Sequence, residues 1–203
     1  MSKEEEIMKK KKLAYTSGAI IALMSLGIAA TRSPKPIIGL ARKTLFKIPN
    51  DQRKKRYHEK NVQVSVDECY DSQYPTNYFD FYKPDQPLPE NPAILWVHGG
   101  GFIGGDKLEV KEYATKLAEA GYTVAVMNYA LVPKAIYPVP VIQATECLAF
   151  LVKHHRRYDI NPDNLFLAGD SAGAHIACQV VLSQLSGDYA ERQKPTTYFL
   201  EQN

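Results

Sequence analysis

Between residues 61 and 185 the apolar positions follow two rhythms in turn. Val62–Val66 and Asn77–Tyr82 alternate with a period of two, which predicts strands with one covered face. Ala93–Val97, Tyr122–Asn128 and Asn164–Ala168 are nearly continuous apolar runs, as in strands buried on both faces. Helical spacing fills the intervals: Lys111–Ala120, stopped by Gly121; Val139–Arg157, with Ile142, Cys147, Leu148, Leu151 and Val152 as its inward face; and Ala172–Leu185. About five strands alternating with helices predict the α/β class, a mostly parallel sheet with helices on both faces.

The N-terminal part follows neither rhythm. Leu13–Thr31 holds 19 residues without a charge. As a helix it would reach roughly 28 Å, near the hydrocarbon thickness of a bilayer. It reads as a membrane anchor. A cleaved secretory signal, which the small residues Gly27, Ala29 and Ala30 near its end would support, and a buried helix are the alternatives. Five Lys/Arg lie close on either side, so the charges leave the orientation open. Residues 32–60 read as a basic linker or cap segment, in which "PIIGLARKTLFKIP" is either an amphipathic interfacial helix or a solvated tether. The chain thus divides into 1–31, 32–60 and an α/β domain at 61–203.

Charge sharpens this division. Residues 1–60 carry 15 Lys/Arg against 5 Asp/Glu, and the rest carry 10 against 17. A basic flank beside an apolar stretch fits an anionic membrane surface and not nucleic acid. Cys69, Cys147 and Cys178 are too scattered for a disulfide framework, and His154-His155 alone makes no metal site. No cofactor is implied.

Two glycine-rich loops carry the chemistry. Gly169-Asp170-Ser171-Ala172-Gly173 fits G-x-S-x-G between a buried strand and a helix, the context of a nucleophile elbow. Such a turn lifts the serine hydroxyl above the sheet, at a helix N-terminus that favours developing negative charge. In "HGGGF", His98 to Phe102, three glycines leave backbone N–H groups free to converge on an oxyanion. Phosphate is a poor fit, because Asp106 stands where a P-loop has lysine.

"HGGGF", "NYALVPKAIYPVP" and "GDSAGA", in that order between about residues 61 and 185, resemble the hormone-sensitive-lipase-like branch of α/β-hydrolases, with its carboxylesterases and acetylesterases. The resemblance implies hydrolysis of small-molecule carboxylic esters through an acyl-enzyme. Ser171 would be the nucleophile, and the amides of Gly100, Gly101 and Ala172 the oxyanion hole. His98 and Gly99 would shape the loop. Gly169, Asp170 and Gly173 would form the elbow, with Asp170 not the triad acid, and Tyr129 would lie near the site floor in a structural role. A non-catalytic binding protein on this scaffold, or an inactive truncated product, is the alternative.

A serine nucleophile needs a base, and in this fold the acid and then the histidine follow it in the chain. Beyond Ser171 the only histidine is His175, on the elbow helix itself, where packing or surface contact is the expected role. His58, His154 and His155 lie outside any motif. The resemblance implies eight strands, the last three of them after the elbow helix. The expectation is therefore the N-terminal part of a larger esterase, holding nucleophile and oxyanion hole but not the acid and base.

Overall fold

The computed structural model describes residues 35–46 and 50–185. The 13–31 anchor assigned from sequence lies outside these residues, and no described helix is long and apolar enough to cross a membrane. The chain forms two compact units, residues 1–45 and 46–203. In the first, helix α1 (Lys35–Leu45) is described.

The second unit is built on six strands: β1 (Arg56–Glu59), β2 (Val62–Cys69), β3 (Tyr78–Pro84), β4 (Ala93–Val97), β5 (Thr123–Met127) and β6 (Leu165–Gly169). Their order across the sheet is β1-β2-β3-β5-β4-β6. The parallel pairing expected from sequence holds for β5–β4 and β4–β6, whereas β1–β2, β2–β3 and β3–β5 are antiparallel. The sheet is therefore mixed. Strand β1 falls inside the segment read as linker. Its residues alternate exposed and half-buried and include Arg56 and Glu59, so it lacks the apolar run that marks an inner strand. Lys60 and Asn61, both at positive φ, close a two-residue turn into β2.

Helix α2 (Lys111–Glu119) covers one face of the sheet, with Ala114 and Ala118 against Val62, Val64, Val124 and Val126. Helices α3 (Val139–Lys153) and α5 (Ala172–Leu185) cover the other, joining Val141, Ala144, Cys147, Ile176 and Val180 to Phe79, Leu95, Val97 and Met127. The inward face of α3 is set by Val141, Ala144, Cys147 and Leu151; Ile142, Leu148 and Val152 are only half-buried. The single helix expected to run to Arg157 breaks at His154. A short turn α4 (His155–Tyr158) follows and ends at Asp159, whose φ is +53°.

One polar cluster reaches from the surface into the interior of this unit. Asp80 on β3, fully buried, meets Arg53 Nη2 at 2.5 Å and Lys107 Nζ at 2.6 Å, and accepts the Asp67 N–H at 3.1 Å. Lys107 also pairs with Asp67 at 2.9 Å, and Arg53 with Asp51 at 2.7 Å. Burial works against charge on Lys107, but Asp80 and Asp67 outweigh it and raise its pKa. Residues 51–53, upstream of β1, are thereby fixed to β3.

Candidate active site

The parallel register sets Val97 beside Gly169 and beside Met127. Strands β4, β5 and β6 therefore end level, and the connections after them leave the sheet side by side. In open α/β sheets this carboxyl-end crevice is where ligands bind.

At the corner between β6 and α5, Ser171 is exposed with φ +49°, a strained conformation for a residue with a side chain. Its neighbours explain how the chain turns there. A Cβ on Gly173 would lie 2.0 Å from Val97 O, and one on Gly169 would lie 2.6 Å from both Val97 O and Gly173 C. Backbone rests directly on backbone, and only glycine fits. Gly173→Ala is expected to lower stability by about 1–3 kcal/mol, the usual cost of overpacking. A thermal melt reads this directly, and an unchanged Tm would contradict the interlock.

The glycine loop is also tightly folded. Gly100, Gly101 and Phe102 have φ of 118°, 59° and 64°, and Gly100 O accepts the N–H groups of Ile103 and Gly104. Among the described residues, the amides of Gly100, Gly101 and Ala172 donate to no partner. Asp170 ties this loop to the elbow: its Oδ1 accepts the Gly99 N–H at 3.1 Å and the Trp96 indole N–H at 3.2 Å. At the other end of the loop, Asp106 caps a short 3₁₀ turn through Leu108 N–H at 2.8 Å. Asn128 bridges there, accepting from Lys107 N–H at 2.7 Å and donating to Asp106 at 2.8 Å.

His98 is built into the scaffold. Its buried ring stacks on Tyr129 with centroids 4.5 Å apart, and Tyr129 O–H donates to His98 O at 2.8 Å. Nδ1 lies 2.6 Å from Gly99 O, which can only accept, so Nδ1 carries the proton. Burial holds this imidazole below the usual histidine range. The structure thus brings His98, Gly99 and Gly100 against Asp170 and Gly173, with Gly101 next along the first loop and Gly169, Ser171 and Ala172 next along the second. The contributions of Trp96 and Asn128 were not legible, although each stands at the end of an apolar strand run.

No histidine hydrogen-bonds Ser171 among the described residues. His58 pairs with Asp85 at 2.7 Å on β1, at the opposite edge of the sheet from β6. His154 packs on Phe150, and His155 contacts Val152 O. His175 is exposed, with its ring edge-on to Phe102 at 6.1 Å. It lines an apolar groove of about 640 Å³ with Phe102, Tyr137, Pro140, Cys178 and Leu182. A second cavity of about 420 Å³ is bounded by Trp96, His98, Gly100, Glu109 and Asp170. Ser171 lines neither of these two cavities, although residues from both loops around it do.

A serine held left-handed at a strand–helix corner, pinned to a loop with free glycine amides, is the arrangement of the α/β-hydrolase fold. Residues 79–199 match the BD-FAE family, and the chain belongs to it. An esterase of Gibberella moniliformis (strain M3125 / FGSC 7600) is 33% identical over 114 residues, covering 56% of this chain and 33% of that protein. The isoprenylcysteine alpha-carbonyl methylesterase of Arabidopsis thaliana is 30% identical over 128 residues, covering 63% of this chain and 29% of that protein. Among solved structures, an inhibited esterase B from Lactobacillus rhamnosis superposes with a TM-score of 0.61 at 25% identity, covering 85% of this chain and 53% of that one. The chain thus spans about a third of these two curated relatives.

Proposed function

We propose that this chain carries the nucleophile and oxyanion hole of a serine hydrolase acting on carboxylic esters. Ser171 Oγ attacks the ester carbonyl, the alcohol leaves, and an acyl-enzyme forms; water then releases the acid and restores the hydroxyl. The amides of Gly100, Gly101 and Ala172 hold the oxyanion in each tetrahedral intermediate. His98 is unsuited to act as base, since burial and its bond to Gly99 O commit it to the loop. The reading rests above all on one observation, the Asp170 link that holds the left-handed serine corner against a loop with unpaired amides. The ester-hydrolase names of the relatives support it.

The test is covalent capture. The protein is treated with a p-nitrophenyl alkylphosphonate and mapped by peptide mass spectrometry. A slowly formed adduct on Ser171 is expected, with none in Ser171→Ala. Absence of the adduct, or its appearance on another residue, would favour a non-catalytic relative on the same scaffold.

We also propose that residues 13–31 anchor the protein in a membrane, on the strength of their 19 uncharged residues. Alkaline carbonate extraction of membranes tests this. Retention in the pellet is expected, and release into the supernatant overturns it.

A further inference from the structure

Helix α1 lies outside the hydrolase unit and takes no part in the chemistry above. None of its 11 residues is buried. Ile37, Leu40 and Leu45 are 46%, 51% and 73% exposed, unusual for three large aliphatic side chains on one short helix. Their placement is ordered. At 3.6 residues per turn, Leu40, Thr44, Ile37, Ala41, Leu45 and Ile38 fill one arc of about 160°, and Arg42, Lys35, Gly39 and Lys43 fill the opposite arc of about 100°. Only cations charge the polar side; the helix has no acidic residue.

We propose that α1 is an interfacial helix that lies in the plane of an anionic lipid surface, aliphatic arc among the acyl chains and cationic arc at the headgroups. A broad apolar face opposite Lys/Arg is what an in-plane helix requires. Charge complementarity selects the lipid. Residues 1–60 carry 15 Lys/Arg against 5 Asp/Glu, and each cation near an anionic surface adds to binding. An acidic protein would satisfy the cations but would leave the aliphatic arc to find a matching groove. The bilayer satisfies both. This inference does not depend on Ser171 or on ester hydrolysis.

The test uses the full chain reconstituted in vesicles. Thr44, within the aliphatic arc beside Ile37, is replaced by cysteine and labelled with an environment-sensitive nitrobenzoxadiazole dye. Cys69 and Cys178, the exposed native thiols, are changed to serine. Vesicles are phosphatidylcholine alone or mixed with phosphatidylglycerol, each with acyl-brominated lipid as depth quencher. Quenching is expected with phosphatidylglycerol and is weaker without it. Leu40→Glu should reduce the inserted population roughly tenfold or more, the weight of one buried leucine. Lys43→Ala should reduce it roughly fivefold, the weight of one surface cation. Three outcomes overturn the proposal: no quenching in either vesicle, quenching indifferent to Leu40→Glu, or blue-shifted emission without quenching. The last would place the arc against protein, either this chain or a second copy.

Discussion

Once a base is present to take the serine proton, Ser171→Ala is expected to lower kcat/KM for p-nitrophenyl acetate by about 10⁴-fold or more, as loss of the nucleophile does in serine hydrolases. Binding should survive, because the amide cradle is made of backbone that the substitution leaves in place. Alanine keeps a Cβ at the left-handed corner and so retains the backbone strain of serine there. The loss is therefore chemical, and a circular dichroism melt should show wild-type stability. The full loss also requires the imidazole that takes the serine proton, since a serine hydroxyl alone is a weak nucleophile at neutral pH. Equal rates for wild type and variant would remove Ser171 from the mechanism.

Asp80→Asn is expected to cost about 3–5 kcal/mol, the penalty for removing one partner of a buried ion pair. The change is nearly isosteric, so packing contributes little. Arg53 and Lys107 have side chains only 11% and 3% exposed, and both would lose their shared carboxylate. A urea titration reads the change, and a loss below about 1 kcal/mol would show that Asp51 and Asp67 suffice without it. Lys107 immediately follows the loop-end cap Asp106, so activity should fall with stability. The rim of the cluster has its own pH signature. The Arg53 side chain holds the Asp51 carboxyl at about 2, below its ordinary 3.8. Folding gains from this ionisation above pH 3.8, and the gain disappears as the pH falls through about 2. Asp51→Asn should flatten the acid limb of the stability curve in that window.

The parts of the fold that were legible in sequence are those where local pattern and tertiary burial agree. Ala93–Val97 is a strand over the same residues, and Ala172–Leu185 a helix over the same residues. The edge strand β1 was hidden because Arg56 and His58 face outward and leave no apolar run. The break at His154 has no glycine or proline to announce it. The Asp80 cluster was illegible for a different reason. Its partners are 27 residues apart in each direction, and nothing local distinguishes a buried aspartate from a surface one. Within the candidate site, the glycine spacing was readable because it answers steric demands within a few residues. The tether from Asp170 to Gly99 spans 71 residues and emerged only when β4 and β6 were placed side by side.

The contact of Gly173 with Val97 makes the distance between elbow and loop a property of the main chain. Side chains around the crevice are then free to change in size and polarity while the two backbones keep their spacing. Selection on such a scaffold can retune what is admitted without disturbing how the bond is broken. One spine of glycines would suit many different esters.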